Sequence, residues 1–457
     1  MKTHHYIFLT TALFVILFYD QDMGMNLGIL GIIYALLTLF KTPEKNKTKT
    51  LLILFVTSIL SSLAFIWYGD FASFLAVVSS LLLFSYRSRN RKLKILFLIP
   101  VFAINSFTFI FRFFSFDKWL PKKNVSGVWQ KTLAFIIIPL VFISLFFGIY
   151  SVGSNHFASL FKDYELDINL WQLLCVSVLG FFVAFNYWNY AVEKFIYKNN
   201  SLLNDDFEEQ FKTPKSTYSF LDLNSERASG VISFICLNIL LMFFIITYNY
   251  EQFYEVAKTP VQLSEETHER INAVIISIIM AVLVIMFYFK SGFNFDPKAK
   301  LMKILTKIWI ILNGILVISA ALKNYEYIVS FGFTYKRLGV MAFLLLALIG
   351  LTLTFIKIQR KKRNAFLFNM MIWYFYGTIL ACSYVNWGGI ITSQNMKRKD
   401  FVVKYHLEQI NFNERGLLQY AKDKNDPQLK KRAIEKMEDK RSRPFLSKIL
   451  YYETLKE

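Results

Sequence analysis

Residues 324–339, NYEYIVSFGFTYKRLG, place three tyrosines, a carboxylate and a Lys-Arg pair between two apolar runs of bilayer-spanning length, 304–322 and 338–356. A polar interval with charged and aromatic residues between two such runs marks a membrane boundary, where amphipathic rings favour the headgroup level. The same pattern recurs along the whole chain. Apolar runs cover 6–19, 23–40, 51–68, 71–86, 95–111, 132–150, 170–190, 229–248, 271–289, 304–322, 338–356 and 366–386.

Composition agrees with this reading. Of the 457 residues, 55% are hydrophobic and 18% aromatic, and the charges sit in short clusters between apolar runs rather than over a soluble surface. The expected fold is all-α: a polytopic transmembrane helix bundle of 11 to 12 spans over 1–390, with a small soluble helical tail over 391–457. The net charge of +20 does not point to nucleic acid, because Lys and Arg crowd the ends of apolar runs, where they set orientation. Cys175, Cys236 and Cys382 all lie inside apolar runs without the close partner a redox or zinc pair needs, so no metal and no cofactor is expected.

Charge asymmetry orients the bundle. The basic clusters 41–49, 87–94, 112–131, 290–307 and 357–363 belong in the cytoplasm, and the acidic or neutral connections 20–22, 69–70, 163–167 and 251–269 belong outside. Two basic clusters flank the single run 95–111, and one crossing cannot put both inside. That run carries Pro100 and Asn105 and is about 25 Å long as a helix, short of the ~30 Å hydrocarbon core. It is therefore expected to be re-entrant or interfacial, which leaves eleven crossings, a cytoplasmic N-terminus and an extracytoplasmic tail. The region 193–228 becomes a long, partly helical cytoplasmic loop. In the tail, Asp426-Pro427 supplies a helix cap followed by proline at the first helical position.

Several residues in order, Ser225-Glu226-Arg227 with Gly230 and Asn238, His268-Glu269 with Asn294, Trp309 with Asn313, Gly332-Phe-Thr334-Tyr335-Lys336-Arg337, and Asn386-Trp387 with Asn395, resemble an uncharacterised bacterial membrane family, domain of unknown function 4173, a relative of the 4153 family. The resemblance is best over 224–395. It implies a cytoplasmic-membrane protein with an extracytoplasmic tail, and it supplies no reaction.

Each candidate site has a bland counterpart. Ser225 and Glu226 suit a helix cap and its dipole. His268-Glu269 lacks the second histidine of a zinc-protease helix, because Asn272 stands there. Asn238 and Asn313 fit interhelical hydrogen bonds. The 324–339 interval, expected to be a loop on the outer side, is harder to dismiss: at an outer boundary Lys336 and Arg337 run against the orientation bias and ask for a partner. Glu326 is the internal candidate; an anionic headgroup or sugar phosphate, with Tyr325, Tyr327 and Tyr335 as contacts, is the external one.

Three functional classes follow. An envelope component or sensor, presenting its tail to a protein partner and otherwise surrounded by membrane lipids, is the favoured one, and the reading leans away from an enzyme with no catalytic residue nominated. A transferase acting on lipid-linked sugars or headgroups would use outer carboxylates such as Asp20 and Asp22. A transporter would need ionisable groups deep in the spans, and no obvious carboxylate or basic residue stands there. The expected orientation has a direct check: a reporter active only outside the cytoplasm should work when fused after Glu457 and stay silent within Lys41–Lys49, and the reverse pair of results would invert every helix.

Overall fold

The structure, a computed structural model, describes residues 2–120, 135–136, 138–154, 157, 169–254 and 260–455. The basic stretch 121–131 and the acidic stretch 163–167 lie outside these residues, as do the side chains of His268 and Glu269. The described chain is all helical in its regular elements, and its contacts divide it into two units: Met1–Leu93 with Phe97–Tyr197 and Glu435–Glu457, and Lys94–Leu96 with Lys198–Ile434.

The first unit contains α1 (Thr3–Phe18), α2 (Met25–Lys41), α3 (Lys49–Tyr68) and α4 (Phe71–Arg89), three short helices α5 (Leu98–Phe107), α6 (Phe109–Phe114) and α7 (Phe116–Trp119), then α8 (Ile138–Gly153) and α9 (Leu170–Trp188). Small residues let helices approach closely where lipid offers no hydrophobic driving force. Accordingly Ser58, Ser61 and Ser62 of α3 and Ser80 of α4 are buried, and Ser61 and Ser80 hydrogen-bond at 3.1 Å. Tyr6, Tyr34, Tyr187 and Trp188 form the other core, tied by Thr38 to Tyr187 at 2.8 Å and by the Trp188 indole to Thr10 at 3.0 Å. At one end of this unit Asn46 bonds the Ser88 carbonyl and Arg91 that of Lys45, so the basic clusters 41–49 and 87–94 share an end. At the opposite end the Asp22 amide donates to Ser447, and that of Met25 to the Lys448 carbonyl. The last tail residues therefore sit with the 20–24 connection. Asp20 and Asp22 are exposed there, Asp20 with φ of 53°.

The second unit holds α10 (Lys194–Asn199) in part, then α11 (Leu223–Tyr254), α12 (Pro260–Tyr288), α13 (Lys300–Phe331), α14 (Tyr335–Gln359) and α15 (Asn364–Tyr384). The tail helices α16 (Trp387–Asn395), α17 (Val403–Glu408), α18 (Glu414–Asp423) and much of α19 (Pro427–Arg441) follow; α20 (Leu450–Glu453) returns to the first unit. Helix α13 packs against α11, α12 and α14 and carries the core through Met302, Leu316, Val317 and Ala320. Asn238 bonds across to the Leu305 carbonyl at 3.0 Å, as a buried amide in lipid should; among the described residues Asn313 bonds only the Trp309 carbonyl of its own helix.

Among the described residues eight helices are long and apolar enough to cross a bilayer: Lys49–Tyr68, Phe71–Arg89, Leu170–Trp188, Leu223–Glu251, Ile271–Tyr288, Lys300–Phe331, Tyr335–Gln359 and Asn364–Tyr384. The chain is a multi-pass membrane protein by that measure, and the count of 11 to 12 is not confirmed. Length sets α1 and α2 apart, with 16 and 17 residues, about 24 to 26 Å of helix against a ~30 Å core, and the expected run 132–150 lies partly outside the described residues.

The run 95–111 is not one helix. Pro100 sits harmlessly in the first turn of α5, and the break falls instead at Thr108. Asn105 donates to the Ala191 carbonyl at 2.7 Å and accepts from its amide at 2.8 Å, while Arg112 reaches Asn186 and the Asn189 carbonyl. Phe109 and Trp119 each meet the Phe185 ring edge to face. The whole stretch thus stays around the C-terminal end of α9, the end where Arg89 bonds the Trp188 carbonyl. Single cysteines at Arg91 and Asp117, in a chain lacking the native three, should be labelled from one side of the membrane; labelling from opposite sides would restore a crossing.

Candidate functional site

The 324–339 interval folds differently from a boundary loop. Helix α13 continues through it to Phe331, and only 332–334 turn the chain into α14. At 32 residues α13 is about 48 Å long, so it outruns the hydrocarbon core and carries its polar aromatics past the boundary. Asn324 is buried and donates to the Arg337 carbonyl at 3.0 Å, which holds the two helix ends together. The turn needs Gly332: its φ of 81° and ψ of 177° fall in a region open essentially to glycine alone, and a Cβ would stand 2.7 Å from Asn395 Oδ1. Thr334 caps α14 by accepting from the Arg337 amide at 3.3 Å.

A helix end exposes carbonyls that need donors. Two arginines supply them here. Arg337 donates through Nη1 to the carbonyls of Phe331, at 2.9 Å, and Gly332, and its guanidinium lies 4.0 Å from the Tyr327 ring centre. Arg398 donates to the carbonyls of Val329 and Ser330 and grips Asp400 with two bonds of 3.0 and 2.9 Å. Those bonds hold the Asp400 carboxyl below the usual carboxylate range. The expected Glu326 partnership does not form: Glu326 lies 3.7 Å from Lys323, one turn back on its own helix. Lys336 is exposed and makes no ion pair among the described residues. The Lys-Arg pair is split, one cation outward and one inward.

The tail docks on this turn through buried amides. Asn395 accepts from the Phe333 amide at 2.7 Å and donates to the Phe333 carbonyl at 2.9 Å, the pattern of a strand pair made by one side chain. The same Nδ2 faces His406 Nε2 at 3.1 Å, so Nε2 is an acceptor. His406 Nδ1 therefore carries the proton and donates to Thr392 Oγ1 at 2.9 Å; Asn413 donates to that oxygen at 2.9 Å and to the His406 carbonyl at 2.8 Å. His406 is 2% exposed, and burial pushes its pKa down to about 4. Asn386 caps α16 at Gly389 and reaches the Phe412 carbonyl, while Gly388 lies so close to the Asn411 carbonyl that no side chain fits between.

Between turn and tail lies a cavity of about 210 Å³. Arg337 and Arg398 line it with Phe331, Phe333, Phe401 and His406; Thr334 and Asp400 stand at its wall. Of the expected site residues it gathers Thr334 and Arg337, whereas Glu326, Tyr327, Tyr335 and Lys336 are not in its lining, and Tyr335 reaches the Asn411 carbonyl instead.

At the basic end of the same unit, Ser225-Glu226-Arg227 is an anchor rather than a cap. Asp222 caps α11, accepting from the amides of Asn224 and Ser225 at 3.1 and 3.3 Å. Glu226, 1% exposed, accepts from the Thr217 amide at 2.7 Å, and Arg227 pairs with buried Asp296 at 2.7 Å. Thr392, Arg398, His406 and Asn413 were not legible as site residues: single polar residues in a soluble-looking tail carry no spacing signal, and one of five histidines says nothing by itself.

A protein-family model described as Domain of unknown function (DUF4153) matches residues 50–413, most of the chain. The match is to the 4153 family, not shown for 4173, and reaches further toward the N-terminus than the 224–395 resemblance. No curated protein and no solved structure matches.

The junction has a pH signature. A histidine with a folded pKa near 4 and an unfolded pKa near 6.5 binds fewer protons when folded, so its contribution is complete above about pH 6.5 and is lost as pH falls toward 4. Thermal unfolding of the purified protein should show the tail loosening in that window. Asn395→Ala should cost about 2–4 kcal/mol at pH 7, because it leaves the Phe333 amide and carbonyl unpaired. A pH-independent tail and a neutral Asn395→Ala would contradict the network.

Proposed function

Because this chain belongs to the DUF4153 family, whose description names no reaction, we propose its role from the junction itself: a non-catalytic component of the cell envelope that holds its helical tail on the ends of its spanning helices and reads a small anionic group there. The single observation that carries this is the Asn395 clamp, which ties the tail to the turn between α13 and α14 through paired backbone bonds. A ligand or partner acting on the tail is thereby coupled to two membrane-spanning helices.

The size and charge of the cavity narrow what it would take. At about 210 Å³ it falls below the ~300–1,000 Å³ of pockets for drug-sized ligands, so it suits an end group such as a carboxylate or phosphate and not a whole lipid-linked sugar. Its two guanidinium charges face Asp400 and a helix C-terminus worth about half a negative charge, leaving a mild positive surplus. Arg337 retains Nε and Nη2 for a bidentate contact.

The cytoplasmic N-terminus and extracytoplasmic tail belong to the same proposal. Supporting them, the basic clusters 41–49 and 87–94 meet at one end of the first unit, and Ser447 and Lys448 meet the acidic 20–24 connection at the other. The ordered residues from Ser225 to Asn395 also favour a kinship with the related 4173 family.

A photo-crosslinking residue at Val402, 61% exposed at the cavity wall, should capture a ligand or partner in intact cells, and Arg337→Gln should abolish the adduct while the protein stays abundant. An adduct indifferent to Arg337, or none at all, would remove the reading role and leave the junction as a structural clasp.

A further inference from the structure

At the basic end of the second unit three lysine side chains gather on the turn that leads into α13. Lys303 donates to the carbonyls of Asn294 and Asp296 at 2.9 and 3.4 Å. Lys361, in left-handed conformation with φ of 52°, places its ammonium 5.4 Å from the ring centre of Phe295, the residue between those two carbonyls. Lys307, one turn along α13 from Lys303, reaches Gln359 at 2.6 Å, two residues before Lys361. Three ammonium groups thus converge on one corner, and Lys303 feels the repulsion of both others.

The carboxylate recorded against Lys303 among the described residues is Asp296, which is 2% exposed and already bound by Arg227 at 2.7 Å and by the Lys298 amide at 2.9 Å; Asp206, another carboxylate on this side, pairs with Lys362. Arg227 and Lys303 therefore share one buried anion. Lys303 also lies in the first turn of α13, where the helix dipole disfavours a cation, so the corner favours an added anion.

What completes it is indicated by the adjoining surface. From Leu301 an exposed apolar stripe runs through Ile304, Ile308, Ile311 and Ile315, between 40% and 56% exposed, along the same helix. The spacing is that of one helix face, and it leads from the lysines into the span. We infer that Lys303, Lys307 and Lys361 bind the phosphate of an anionic phospholipid whose acyl chain lies along this stripe. Lysine is suited to this as a compact, strongly charged phosphate donor on a flexible stem. The site is distinct from the tail junction, and shares no residue with its cavity.

The full-length protein in lipid nanodiscs provides the test, with phosphatidylglycerol in phosphatidylcholine as the probe and inorganic phosphate as the separate arm. Phosphatidylglycerol should raise the melting temperature above that in phosphatidylcholine alone, and inorganic phosphate should not reproduce the rise. Each lysine-to-glutamine change should weaken phosphatidylglycerol binding about fivefold. The triple variant Lys303→Gln, Lys307→Gln, Lys361→Gln should lose the rise yet melt no lower than wild type in phosphatidylcholine, because repulsion is relieved. Lys424→Gln with Lys430→Gln in the tail should keep the full rise. A triple variant that retains the rise, or an equal effect of inorganic phosphate, would overturn the lipid assignment. If the triple variant does not fold, Lys361→Gln decides alone: its contact is a ring face, and undiminished binding would refute the site.

Discussion

The end of helix α13 sets the terms for everything around it. A helix that finishes at a membrane boundary leaves its last carbonyls without partners, and where water is scarce an unmet carbonyl is expensive. Here Arg337 and Arg398 meet the carbonyls from Val329 to Gly332, one arginine reaching back from the next helix and the other from the tail. The tail is consequently part of how the spanning helix ends. Asn395 adds the backbone-like bonds that fix the turn, and the glycine at 332 is the residue that lets the amide come close enough. The same solution appears in the first unit, where Arg89 and Arg112 donate to the carbonyls of Trp188 and Asn189 at the end of α9.

Seen this way, the positive charges of the chain divide into two kinds. Arginines on helix ends are consumed by carbonyls and aromatic rings, as Arg337 is by Phe331 and Tyr327. Lysines at the opposite end, Lys303, Lys307 and Lys361, rest on neutral carbonyls, an amide and a ring. Guanidinium is planar and multidentate and suits fixed carbonyl geometry, whereas ammonium suits a mobile phosphate. An orientation signal in the sequence is thus a set of specific structural tasks in the fold.

Much of the architecture was legible. Hydropathy located the eight long apolar helices among the described residues, whereas the charge argument that 95–111 does not cross concerns topology, on which the break in the run does not bear. The break at Thr108 was not legible, because it depends on Asn105 finding Ala191, 86 residues away. The polar interval 324–339 was recognised as unusual but misread as a loop: tyrosine, glutamate and lysine tolerate helix, and only Gly332 stops it. Ser225 was read as a cap where Asp222 does that work, a shift of three residues that sequence spacing cannot separate. The candidate site was half visible. Gly332, Thr334, Arg337 and Asn395 stood out, while His406, Thr392 and Asn413 emerge only when a distant segment folds onto the turn.

The central claim is that Asn395 holds the turn in the membrane-embedded protein, and hydrogen exchange of the Phe333 amide in nanodiscs tests it most directly. Its proton is bonded to a buried side chain, so it should exchange orders of magnitude more slowly than a free loop amide and lose that protection in Asn395→Ala. Exchange at the rate of an open loop in the wild-type protein would contradict the account.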